Sequence, residues 1–454
     1  MDPLTLWCER AWLGAGETQP RAGVLIETWA GRISGLRTGV ASPPRGAAVL
    51  RGLTLPGLAN AHSHCFQRAL RGRTQAASGG SFWSWREQMY ALAEAVRDEE
   101  AFEPLARATF AEMARAGFTL VGEFDYIHHS EATVRAAAAA GVRLTLIDAC
   151  YLHGGLPQFR DASAGAWVER MQALDAAGVF ETDGPGEPGG PDGLEGPDGP
   201  GGLGLDRRGP GARPAAAIHS MRAVDAAAAR SVAAFCAERG WPLHAHVSEQ
   251  VRENEEVFAA HGKTPTALLA SVGALSDRFT AVHATHVTTN DIALMRDAGA
   301  YCCMCPTTER DLADGIGPVA GRLTLGSDSQ SLIDPFEEAR AVELNNRLAT
   351  GVRGTFSADA LATGLTANGY ASLGWPEGGR IALDALADVT TVSLDGVSLA
   401  GTDPARALDS VIFAGFAADV RDVIVGGDWV VRDGAHVSID VEHELAEAIK
   451  RVWA

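Results

Sequence analysis

The sequence predicts a (β/α)8 barrel with a small β domain formed from both chain ends. Three observations lead there. Short apolar runs alternate with helix-period patterns through the middle of the chain, as in a parallel α/β fold. Histidines and acids recur just after those runs, where barrels of this kind carry their active sites. The two flanks carry short β patterns and turn signals, with little helix before the last dozen residues.

The apolar runs give eight expected strands: Leu53–Leu58, Thr119–Phe124, Arg143–Ala149, Ala215–Ile218, Leu243–Ala245, Thr280–Val282, Tyr301–Met304 and Thr324–Gly326. Between them lie helical patterns. Ser220–Arg239 repeats apolar residues at Val224, Ala228, Val232 and Phe235, and Gly240 with Pro242 ends it. Thr289-Asn290-Asp291 offers N-caps for a helix through Ala298. A further helix is expected over Ala162–Ala177. In the flanks, Val423-Ile424-Val425-Gly426-Gly427-Asp428-Trp429-Val430-Val431 reads as a tight hairpin. The expected division is a composite small β domain over 1–52 and 385–454, and a catalytic barrel over 53–384. The Gly/Pro/Asp-rich stretch 181–214 has too little apolar surface to fold, so it is expected to be a disordered insertion on the face away from the site.

At 454 residues the chain can bury a large core, and 46% hydrophobic residues describe a globular protein. A net charge of −19 argues against nucleic acid or an anionic membrane as partner, and no apolar run approaches the roughly 20 residues a bilayer span needs. The seven cysteines are odd in number and lack a spaced framework, and the N-terminus lacks the basic start of a signal peptide. A reducing cytoplasm is the expected location. Lysine occurs only at Lys263 and Lys450.

In Asn60-Ala61-His62-Ser63-His64, residues i and i+2 of a strand share a face, so His62 and His64 can reach one metal ion. Later strand ends add His219, His246 with Glu249 three residues on, His283, and Asp328. His244 and His286 compete with His246 and His283; His246 is favoured as nearer its strand end, and His283 as directly following its apolar strand. A single histidine is commonly just a hydrogen-bonded barrel residue, but convergence of so many on one rim points to a site. Three histidines and one aspartate from this set suit a catalytic Zn2+ or similar divalent ion with an open position. The cysteines in Cys302-Cys303-Met304-Cys305 are split between two faces and read as small barrel residues.

With this order of His-x-His, His, His and Asp, the chain resembles the amidohydrolase superfamily. Its binuclear branch uses a lysine at the end of strand four. Here that position reads Ile218-His219, so the resemblance implies one metal, as in the deaminase branch, held by His62, His64, His246 and Asp328. Finer motifs are similar to the N-formimino-L-glutamate deiminases: His62-Ser63-His64-Cys65-Phe66-Gln67-Arg68, Phe82-Trp83-Ser84-Trp85-Arg86-Glu87-Gln88-Met89-Tyr90, Glu123-Phe124-Asp125-Tyr126, His219-Ser220-Met221-Arg222, His246-Val247-Ser248-Glu249-Gln250 and Cys305-Pro306-Thr307-Thr308-Glu309. Cys65, Asp125, Ile218 and the insertion depart from the pattern, and none removes a group the reaction needs. The resemblance implies hydrolytic deimination of a small anionic amino-acid derivative by a cytoplasmic enzyme, with a homodimer left open. Glu249 would serve as acid/base, Asp328 as proton carrier, and His283 as orienter of the attacking oxygen. Gln67, Arg86, Tyr126, His219 and Arg222 would bind the substrate. A purine-like ring, another formimino acid or a guanidino acid is the alternative substrate. A non-enzymatic barrel is the alternative of a different class, and it would be expected to have lost ligands.

Overall fold

The computed structural model describes residues 3–17, 19–75, 80–180 and 210–454. The chain opens with β1 (Leu4–Ala11), β2 (Arg21–Trp29), β3 (Arg32–Arg37) and β4 (Ala48–Pro56). The barrel strands follow: β5 (Leu58–Ser63), β6 (Phe118–Asp125), β7 (Arg143–Cys150), β8 (Ala212–Ile218), β9 (Leu243–Val247), β10 (Phe279–His283), β11 (Tyr301–Met304) and β12 (Arg322–Leu325). After them come β13 (Val389–Val392), β14 (Val420–Val425), β15 (Asp428–Arg432) and β16 (Ala435–His436). β5 to β12 pair in sequence order, all parallel. β12 returns to β5 through the Ser63–Asp328 bridge. There Asp328 N–H donates to His62 O and His64 N–H to Asp328 O, each at 3.0 Å. This is a (β/α)8 barrel, and its seam closes on three of the expected ligands.

The other eight strands form one sheet in the order β16-β15-β14-β13-β4-β1-β2-β3, so both chain ends build it together. Its own apolar face packs Leu6, Val24, Ile26, Leu50 and Ile424. The expected hairpin is β14–β15, with Gly426 and Gly427 both at positive φ (60° and 84°) in its turn.

Two strand assignments need correction. The run Leu53–Leu58 is not one barrel strand. Leu53–Pro56 pairs with β13 of the small sheet, and the barrel strand starts at Leu58. Apolar periodicity cannot divide a run that serves two sheets; the division falls at Gly57, where backbone, Thr119 and Asp388 come together. A Cβ on Gly57 would meet Thr119 Oγ1 and Tyr370 OH at 2.4 Å. Ala212–Pro214, placed above in the insertion, is the start of β8 and pairs with Leu144–Leu146. Its Gly-Ala-Arg-Pro composition hid a strand that tertiary pairing holds. Residues 181–209, which carry most of the expected insertion, lie outside the described residues.

Helices cover the barrel's outer face. The helix expected over Ser220–Arg239 begins at Ala226, because Asp225 caps Ala227 and Ala228, and Gly240 at φ 68° ends it. The seven cysteines are buried and free. Among the described residues no helix is long and apolar enough to cross a membrane.

Candidate metal and active site

Each ligand candidate stands where a strand stops. β5 carries His62 and leads into His64, and β9 carries His246. β10 ends on His283, and Asp328 follows β12 after a three-residue step. His283 and Asp328 both have positive φ, 67° and 47°. Left-handed backbone is costly for such residues and gathers at functional sites, so the turn that aims these side chains inward is the reason for it.

His62 Nε2 and His64 Nε2 each lie 3.4 Å from Asp328 Oδ1, and His246 Nε2 faces His62 Nε2 at 3.2 Å. His64 Nδ1 lies 3.1 Å from Phe124 O, and His246 Nδ1 lies 3.0 Å from His219 O. A carbonyl only accepts, so both rings carry their proton on Nδ1 and turn an Nε2 lone pair inward. His62 Nδ1 is buried without a hydrogen-bond partner. Burial, and next the neighbouring imidazoles, keep His62 well below the usual histidine pKa. Burial likewise lowers His64 well below its usual value and His246 to about 4. Neutral imidazole lone pairs and a carboxylate oxygen crowded together form a donor set that fits a divalent metal ion.

His283 differs from these three. Burial opposes its charged form, but Glu309, Glu249 and Asp328 outweigh burial and hold its pKa well above the usual value. Its Nε2 lies 3.6 Å from Asp328 Oδ2 and 4.0 Å from Glu249 Oε1. Its Nδ1 lies 3.5 Å from Glu309 Oε1, an ion-pair contact rather than an aligned hydrogen bond. Cys305 Sγ is near His283 and Asp328, and burial keeps the thiol protonated. The rejected alternatives lie aside: His244 Nε2 turns to Ser372 O at 3.3 Å, and His286 is only partly buried.

A cavity of about 300 Å3 opens above this cluster. Of the residues named from sequence, His64, Gln67, Arg86, Tyr126, His219, Arg222, His246, Glu249, His283 and Asp328 all line it, while His62 lies fully buried below. Gln67 donates to Tyr126 OH at 3.0 Å. The two arginines are held differently. Arg86 lies on the helix Phe82–Ala95, with its guanidinium over Trp83 at 4.4 Å and Tyr90 at 5.5 Å. Among the described residues no carboxylate is within ion-pair distance of Arg86, and its Nε is buried without a partner. Arg222 instead donates to Glu249 Oε2 at 3.3 Å and stands 3.8 Å from Glu253 Oε2.

The model of the amidohydrolase family matches residues 53–430. The chain belongs to the amidohydrolase family. This amidohydrolase, a hydrolase of carbon–nitrogen bonds, is 34% identical over 444 residues to a formimidoylglutamate deiminase of Pseudomonas aeruginosa, covering 90% of each chain. It is 28% identical to a 5-methylthioadenosine/S-adenosylhomocysteine deaminase of Halobacterium salinarum, over 88% of this chain and 86% of that one. Among solved structures, an amidohydrolase from Brucella melitensis superposes with a TM-score of 0.82 at 28% identity, covering 99% of this chain and all of the other. An adenosine deaminase from Xanthomonas campestris with bound zinc superposes at 0.83 with 21% identity, over 99% and 97% of the two chains, and supports the fold.

Two buried acids of this amidohydrolase, Glu253 and Asp314, escaped the sequence reading, and a third, Glu309, was seen only as part of a motif, without a role. Glu309 accepts Cys305 N–H at 2.9 Å while facing His283. Asp314 receives the Gln250 amide, and burial, with the Glu249 charge next, pushes it up to about 8. One signal was available: Glu253 follows Glu249 by four residues, the spacing that puts two side chains on one side of a helical turn.

Proposed function

We propose that this amidohydrolase is a metal-dependent deiminase that hydrolyses N-formimino-L-glutamate to N-formyl-L-glutamate and ammonia. The observation that carries the proposal is the 34% identity to a deiminase of that name across nine-tenths of both chains. Arg86 supports it: its guanidinium lines the cavity, no acid among the described residues pairs with it, and its two-pronged geometry suits a carboxylate.

His62, His64, His246 and Asp328 would hold one divalent ion, most simply zinc. When bound, such an ion supplies Lewis acidity that brings the pKa of water toward neutrality. Asp328 then takes a proton from the attacking water with its second oxygen, Oδ2, which faces His283. Glu249 gives its proton to the imine nitrogen and recovers one from the adduct's hydroxyl as the formyl carbonyl forms, while Asp328 passes the water's proton to the departing nitrogen, which leaves as ammonia. Cationic His283, between Glu249 and Asp328, orients the attacking oxygen. Arg86 binds one substrate carboxylate. Gln67, Tyr126, His219 and Arg222 complete the pocket wall around the rest of the chain.

A second reading, deamination of a purine nucleoside, draws on the 28% relatives and on the aromatic lining by Trp83, Tyr90, Tyr151 and Phe159. A panel of N-formimino-L-glutamate, formamidine, a guanidino acid, guanine and 5-methylthioadenosine separates the readings by kcat/KM for ammonia release. The proposal expects the formimino acid to lead; a purine in that place would overturn it.

A further inference from the structure

Glu253 has no role in the mechanism above, yet it is completely buried in the first turn of the helix Val251–His261, four residues after Glu249. Buried acids are rare unless paired, because removing a carboxylate from water is costly. Its Oε2 meets the catalytic strand end twice. It accepts the backbone N–H of Glu249 at 3.1 Å, and it faces Arg222 Nη2 at 3.8 Å. The same Arg222 Nη2 donates to Glu249 Oε2 at 3.3 Å. Glu253 therefore touches Glu249 at its backbone directly and at its carboxylate through Arg222. Ser248, just before Glu249, has a φ of 52°, so the turn that presents Glu249 is held against its own backbone preference.

We infer that Glu253 is a positioning residue which fixes both ends of Glu249 and keeps Arg222 in place while Glu249 gives up its proton. Glu249 alternates between neutral and charged as it works, so it cannot by itself keep a guanidinium stationary. Glu253 stands away from the reacting atoms and is not among the residues lining the cavity. It can remain Arg222's constant partner through the cycle. The arrangement also divides the arginines by task. Among the described residues no acid pairs with Arg86, which is open to a substrate carboxylate, whereas Arg222 is already engaged by two acids and chiefly holds Glu249. The inference rests on the reading of Glu249 as acid/base in the proposed deimination.

Glu253→Met, similar in length and apolar, removes both links; Glu253→Gln restores an oxygen acceptor at the same place. Metal-replete variants are compared for kcat and KM on N-formimino-L-glutamate, for metal content and for melting temperature. The Met variant is expected to lose about 10- to 100-fold in kcat, the scale of a misplaced catalytic group, with KM changed less than about threefold. The Gln variant is expected to recover most of that loss. Unchanged kcat with a lower melting temperature would overturn the inference, as would a rise in KM alone. A Met variant that fails to fold or to hold metal would assign Glu253 to the fold and overturn it too. Glu249→Gln, run alongside, separates the two claims. Normal turnover there means the acid/base reading has failed, whereas an inactive Glu249→Gln beside a fully active Glu253→Met means that this inference alone has failed.

Discussion

Replacing Arg86 with Met tests substrate reading where the structure is least ambiguous. The guanidinium lies against Trp83 and Tyr90, half-buried, and among the described residues no carboxylate would be stranded by its removal. The loss should therefore fall on the substrate rather than on the fold. Truncating one side of a desolvated charged pair costs about 2–5 kcal/mol, and half-burial places Arg86 in the lower part of that range, about 2–3 kcal/mol. At tenfold per roughly 1.4 kcal/mol, kcat/KM for N-formimino-L-glutamate should fall about 30- to 150-fold. Met keeps an apolar stem against the two rings, so melting temperature and metal content should hold. Formamidine, which carries the reacting imine and no carboxylate, supplies the internal reference, and its kcat/KM should change by less than about threefold. Equal losses on both compounds would refute the reasoning and return Arg86 to a structural role on its helix.

Glu249→Gln should retain metal and lose at least about 100-fold in kcat, the usual worth of a placed acid/base, as read by ammonia release and elemental analysis. His62→Ala should lose metal and activity together, and metal-replete wild type should contain about one tightly held equivalent; two would contradict a single site. The pKa of Asp314, raised by burial to about 8, makes the folded state bind a proton that the unfolded state releases near pH 4. Its contribution to stability is full below the unfolded value and disappears as pH rises through about 8, so unfolding free energy should decline across that window. Asp314→Asn should flatten the decline in denaturant melts taken at several pH values.

The metal cluster was legible because strand geometry is simple: alternate residues share a face, and barrel sites sit where parallel strands end. That reasoning brought His62, His64, His219, His246, His283 and Asp328 to one rim, and the family resemblance chose the expected ligands among them. It went astray where one apolar run was shared between sheets, at Leu53–Pro56, and where a strand looked like linker, at Ala212–Pro214. Pairing partners distant in sequence decide both, Val389–Val392 for the first and Leu144–Leu146 for the second, and no local pattern records them. The same limit hid the partners of the arginines. Arg86 and Arg222 look alike in sequence, but only the folded chain brings Glu249 and Glu253 to one and leaves the other to its aromatic neighbours. Glu309 was visible within its motif, yet its contact with His283 joins two strand ends and has no signature in spacing.

The central claim is tested most directly by following products. Metal-replete protein incubated with N-formimino-L-glutamate should release ammonia and N-formyl-L-glutamate in equal amounts, and chelation should stop both. Release of glutamate with formamide in place of those products would show cleavage of the wrong carbon–nitrogen bond. No turnover of this substrate beside rapid deamination of a purine nucleoside would contradict the account outright.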